Sequence, residues 1–99
     1  IFDLITEALR DTVANQIIDE LLTIAKAGEQ TSALKLGKTY TDLLVASDYQ
    51  SAYVWLSIAQ AYGLESASEL LSQVADELTL EEILVQQEKA STTFSEINS

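Results

Sequence analysis

Two glycines, Gly28 and Gly63, stand 35 residues apart, and apolar or small residues recur at fixed offsets from each. Downstream, Ser32 corresponds to Ala67 and Leu36 to Leu71; upstream, Ile17 corresponds to Ala52, Leu21 to Leu56 and Ile24 to Ala59. A period of this length is typical of a helical hairpin that buries its apolar face against its neighbours. No proline interrupts the 99 residues, and there are only three glycines. Ala, Leu, Glu and Gln, which lose little side-chain freedom in a helix, are abundant. An all-α domain follows, and 47% hydrophobic residues supply enough apolar surface for a packed core.

The periodicity divides the chain into helices. Ile5, Leu9, Val13, Ile17, Leu21 and Ile24 form a ridge at helical spacing. Asp11 and Thr12 have the chemistry of N-caps, so a break near Asp11 is expected, giving two helices before Gly28. Gly28 ends that segment, with Lys26 in the last turn. A helix from Thr31 to near Leu44 turns Ala33, Leu36, Tyr40 and Leu43 or Leu44 inward. Ser47, with Gln50 three residues on, heads the next helix through a capping box. Its face of Ala52, Trp55, Leu56 and Ala59 stops at Gly63. A helix from Glu65 to Leu78 follows, with Ala67, Leu70, Leu71 and Val74 inward. Thr79 and Glu82 make a second capping box, opening a final helix from Leu80 to near Ser91 with Ile83, Leu84 and Gln87 on one side. The Ser/Thr-rich tail is expected to fray, Phe94 being its one residue suited to dock.

The run Ala52-Tyr53-Val54-Trp55-Leu56-Ser57-Ile58-Ala59, followed by Gly63, resembles a Sel-one-like repeat, a branch of the tetratricopeptide-like helical repeats. Ser32, Leu36-Gly37 and Tyr40 after Gly28 are similar to the same pattern, as are Asp48-Tyr49-Gln50-Ser51-Ala52 and the closing Leu78-Thr79-Leu80-Glu81-Glu82. Glu20 stands where the pattern has Trp, Ser72 where it has Gly, and the loop from Thr41 to Ser47 lacks the two usual glycines. The resemblance implies an α-α superhelix, a right-handed solenoid of about five to six antiparallel helices. Its divisions are a single domain over 1–99: a partial helix 1–12, a degenerate hairpin 13–46, the best-matching hairpin 47–78, a capping helix 79–92 and a frayed tail 93–99. Gly28, Ser32, Leu36, Gly37, Tyr40, Ala52, Trp55, Leu56, Ala59, Gly63, Ala67 and Leu71 are its structural positions. Gly37, lacking a Cβ, allows close approach between helices, and Ala52 and Ala59 clear room for Trp55.

The net charge is −11, and between Tyr40 and Glu88 there are nine acidic residues and no Lys or Arg. That field repels a phosphate backbone and favours a basic protein or peptide partner, although excess acid also serves simply to keep a surface dissolved. No apolar run approaches the ~20 residues that cross a bilayer. Histidine and cysteine are absent, which removes the commonest general base, the thiolate nucleophile and most zinc sites. Ser32-x-x-Lys35 matches one element of serine acyl-transfer enzymes, but no Ser-Asp-Asn or Lys-Thr-Gly accompanies it. Asp76, Glu77, Glu81 and Glu82 lack the loop spacing of a calcium site and read as a solvated corner. No cofactor and no catalysis are expected.

The expected role is a protein–protein interaction scaffold or adaptor. In such a solenoid the third helix would offer Gln50, Val54, Ser57 and Ala61 to a partner, and a Val in that row is unusual on a wet face. The alternative is a structural end-cap, or a homodimer formed through unfinished repeat ends, for which Ile1 and Phe2 at the open N-terminal edge are the sequence signal. The chain opens on Ile1 and contains no Met, as expected of a processed product or a piece of a longer protein.

Overall fold

A computed structural model describes the backbone of residues 2–99 and the side chains from Leu4 onward. The expectations placed on Ile1 and the Phe2 side chain lie outside the described residues. Five α-helices, α1 (Phe2–Lys26), α2 (Gln30–Lys38), α3 (Tyr49–Ala61), α4 (Glu65–Ala75) and α5 (Leu80–Ile97), account for most of them, with no strand among the described residues.

The first helix is continuous, correcting the expected break at Asp11. Neither proposed cap acts as one: the Thr12 hydroxyl donates to the Ala8 carbonyl one turn back at 2.9 Å, and the Asp11 carboxylate accepts from the Val45 N–H at 2.9 Å. The expected ridge is also displaced. Ile5, Leu9, Val13 and Ile24 are exposed, while Ala14, Ile18 and Ala25 are buried and Leu21 and Leu22 half-buried. Steps of four drift about 40° round a helix each time, so a long i+4 row leaves the seam. Alanines carry the close contact instead.

Glu29 caps α2, its carboxylate accepting from the backbone N–H groups of Thr31 and Ser32. Beyond Lys38 the helix widens into a single π-helical turn, Thr39–Leu43, rather than continuing as α-helix to Leu44. The Thr39 and Thr41 hydroxyls donate back to the carbonyls of Lys35 and Gly37, each at 2.8 Å. The carbonyls freed at the end of this turn find a partner in α1: Arg10 donates through Nε to Leu43 and through Nη2 to Asp42, both at 2.8 Å.

Asp48, rather than Ser47, caps α3, accepting from the Ser51 N–H at 3.1 Å, while the Ser47 hydroxyl turns away to the Thr41 carbonyl. This helix contains no charged residue and buries Ala52, Tyr53, Val54, Trp55, Leu56, Ile58 and Ala59. A helix apolar on nearly every side belongs inside. It packs against α2, α4 and α5, whereas α4 and α5 barely touch each other along their lengths. Gly28 and Gly63 terminate α1 and α3 with φ of 102° and 88°, the left-handed geometry that only glycine adopts without strain.

The fourth helix ends at Ala75, short of Leu78, and α5 opens on the expected Thr79–Glu82 capping box. It then runs to Ile97, so the tail is helical and not frayed from 93. Phe94 sits against Tyr62 with ring centroids 5.2 Å apart, and Asn98 donates to the Tyr62 hydroxyl at 3.2 Å. The face turned inward is not the expected one. Gln86 and Ala90 are buried, Ile83 half-buried, and Leu84 and Gln87 exposed.

Candidate functional site

Helices α3 and α5 run parallel in matched register. Gln50 donates to the Glu82 carboxylate at 2.6 Å, Gln87 donates to the Tyr53 hydroxyl at 3.1 Å, and Asn98 reaches Tyr62, at offsets of 32, 34 and 36 residues. Since α4 hardly meets α5 beyond their connecting turn, the two diverge above α3 and leave a groove between them.

The groove encloses about 380 Å³. Its floor is the i, i+4, i+8 row Tyr53, Ser57 and Ala61 of α3, with Ile58 beneath and Gln60 beside it. Leu71 of α4 forms one wall, and Gln87, Ala90, Ser91, Phe94 and Ser95 of α5 form the other. The Gln60 amide donates to the Ser68 hydroxyl at 3.0 Å, fixing α4 at that edge. The lining is thus apolar with hydroxyls and amides, and it carries no carboxylate, amine or guanidinium. Its lining offers hydrogen-bonding groups and apolar contact, and no acid or base beyond one phenol.

Of the four residues expected to meet a partner, two line this groove, Ser57 half-buried and Ala61 exposed. The others do not face outward as a binding row. Val54 is buried, in the core cluster that includes Ile18, Trp55 and Ala90. Gln50 is exposed, but its amide is held by Glu82 and Gln86 of α5. Tyr53, Gln60 and Phe94 were not among the expected residues. The 53-57-61 row was visible in the sequence, whereas Phe94 mattered only once α5 extended over the groove.

The structural positions divide between two core clusters, with Gly28 and Gly63 exposed at helix ends. Ser32, Leu36, Gly37, Ala52, Trp55, Leu56, Ala59 and Ala67 are buried, and Tyr40 and Leu71 are half-buried. Trp55 shares one cluster with Ile18, Ala25, Ala33, Leu36, Ile58 and Ala59, and Leu56 belongs to a second with Ala52, Tyr53 and Val74. Burial, then the carboxylates of Asp48 and Asp19, push the Tyr40 phenol above its ordinary pKa.

Two of the other chemical candidates, Ser32 and Glu82, are engaged at helix starts. Ser32 donates its hydroxyl to the Glu29 carboxylate, and hydrogen bonds first from that hydroxyl and then from Thr31 bring Glu29 down from 4.5 to about 2. Glu82 is lowered by the Thr79 N–H and then by the Gln50 amide. Among the described residues no three His, Cys, Asp or Glu side chains are placed to hold a metal ion, and no helix is long and apolar enough to cross a membrane. Compared with known proteins, the chain matches no family model, no curated sequence and no solved structure.

Proposed function

We propose that this chain is a non-catalytic protein–protein interaction module, a scaffold or adaptor segment of the Sel-one-like, tetratricopeptide-like kind. The observation that carries the reading is the groove over α3, whose floor and walls mix apolar side chains with hydroxyls and amides and carry no charged group. The parallel seating of α5 on α3 at offsets of 32 to 36 residues supports the repeat reading, since the glycine period is 35. In a right-handed α-α superhelix, α1, α3 and α5 would be the first helices of successive hairpins. The test is affinity capture from source-cell extract with the wild-type chain and with Ala61→Arg. A reproducible partner recovered by the wild type and lost from the variant fits the proposal; a partner set indifferent to the substitution refutes the groove as its seat.

A second reading has its own support. Among the described residues, the large exposed hydrophobics are Leu4, Ile5, Leu9, Val13 and Ile24 on α1, Leu80, Leu84 and Val85 on α5, and Val45 in the loop before α3. Helices α2 to α4 carry none of them. An end-cap or a homodimer joined through its end helices would cover such faces. Sedimentation equilibrium distinguishes it: a monomer at high micromolar concentration excludes the homodimer.

A further inference from the structure

We infer that α5 exchanges between two copies of this chain, each seating its α5 on the other's α3 while its own α4 and α5 join into one helix through Thr79. This deepens the homodimer reading: it rests on self-association and adds the element that is exchanged. The first observation is the connection itself. Helices α1 and α3 end at Gly28 and Gly63, whose left-handed φ stops a helix outright. The loop before α3 is pinned to α1 through Arg10 and Asp11. The connection between α4 and α5 has neither device. It contains no glycine or proline, and Asp76 is still right-handed helical at φ −63° and ψ −21°. The N–H groups of Glu77 and Leu78 donate back to the carbonyls of Val74 and Ala75 at 3.0 and 3.1 Å. Thr79 is extended, and its capping box with Glu82 holds the turn. Its φ of −75° already suits a helix, and bringing its ψ from 161° to about −42° continues α4 into α5. The first N–H groups of α5 then bond to the last carbonyls of α4 in place of the cap.

The second observation is how α5 is held. It packs on α3 and barely meets α4, and its polar ties are Gln50 to Glu82, Gln87 to Tyr53 and Asn98 to Tyr62. A second copy's α5 remakes every one of them, so exchange keeps the complementarity and gives up only the capped turn. The wall that α5 lends to the groove over α3 then comes from the second copy.

The crossing that results has a definite character. Helix α4 runs against α3, with Ser68 beside Gln60 at one end and Val74 near Tyr49 at the other, while α5 runs parallel to α3. Two joined helices therefore cross antiparallel about a two-fold axis near Thr79. Leu80 and Leu84, 72% and 56% exposed in the closed chain, share one face within about one and a half turns of that crossing. The exchange brings them together. It also gathers Asp76, Glu77, Glu81 and Glu82 of both copies, so repulsion favours the closed monomer until salt screens it.

The test uses the full chain, which has no cysteine of its own. Ala61→Cys on α3 and Ser95→Cys on α5 each place one thiol in the groove, on opposite sides of the α3–α5 contact. The two single variants are mixed, unfolded in urea, refolded together at high micromolar concentration and treated with a short bis-maleimide. A covalent link between one variant and the other is expected, since exchange sets the α5 of one copy beside the α3 of the other. Sedimentation of the wild type should show several-fold more dimer at about 500 mM salt than at about 50 mM. Thr79→Ala removes the cap at both hinges and should raise the dimer association constant about tenfold. Leu80→Pro suits the closed chain, because the first position of α5 needs no N–H, and it blocks a continuous helix. It should abolish the link without lowering the melting midpoint of the monomer, whereas Leu80→Ala, which trims the same side chain, should retain it. A chain that stays monomeric at high salt and high micromolar concentration overturns this inference and the homodimer reading together. A dimer that gives no link between the two variants, or a link that survives Leu80→Pro, overturns the exchange and leaves the homodimer reading standing.

Discussion

Gly37 of α2 lies against the side chain of Leu56 in α3 so closely that a Cβ built on the glycine would overlap Leu56 Cγ and Cδ2. Leu56 is itself enclosed, only 1% exposed, and has no room to swing aside. In an isolated helix Gly37→Ala would be favourable by about 1 kcal/mol. Here overpacking reverses the sign, and a net loss of about 1–3 kcal/mol is expected in urea unfolding. Leu56→Ala should cost less on the Gly37→Ala background than it does alone, since the two changes share one contact. A Gly37→Ala variant more stable than wild type would disprove the close contact.

Trp55 is the largest side chain of the cluster joining all five helices. Trp55→Ala should cost about 3–5 kcal/mol, read as a lowered denaturation midpoint. Trp55 fluorescence in the wild type should be blue-shifted and poorly quenched by iodide.

The Glu29 carboxylate holds a pKa of about 2 against an ordinary 4.5 through hydrogen bonds at the start of α2. A carboxyl lowered by folding adds stability above its unfolded pKa, and that contribution fades as pH falls toward the folded value. The melting temperature of wild type should therefore drop more steeply than that of Glu29→Gln between pH 4.5 and about 2. Parallel curves over that interval would mean the cap does not form.

Phe94 and Asn98 tie the end of α5 to Tyr62. Because Phe94 is only half-buried, Phe94→Ala should cost about 1–2 kcal/mol, less than Trp55→Ala. Its amide exchange should speed up over residues 91–97 first, with α3 still protected.

What could be read from the sequence was whatever local chemistry or a large side chain dictates. Gly28 and Gly63 marked helix ends because the left-handed geometry there needs glycine, and Thr79 with Glu82 marked a helix start because the pair bond reciprocally. Trp55 among small neighbours pointed to a buried seam. The seam of α1 was harder, since Ala14 and Ala25 give close contact with little hydrophobic signal, and the large aliphatics of that helix face outward. Distant partners overrode local caps at Asp11 and Gln50, and a nearby loop carbonyl did so at Ser47. Val54, unusual for a wet face, is buried in the chain's own core. The groove needed the long α5, whose Gln, Ser and Ala residues dock through a few polar bonds and one aromatic pair.

Helix α3 contributes Val54, Trp55, Ile58 and Ala59 to one core cluster and Ala52, Tyr53 and Leu56 to the other. Leu34 and Tyr40 border both. Neither half can lose its packing while the other keeps a complete helix to pack on. Melting should therefore be a single concerted event rather than a loosening hairpin by hairpin, with calorimetric and van't Hoff enthalpies agreeing.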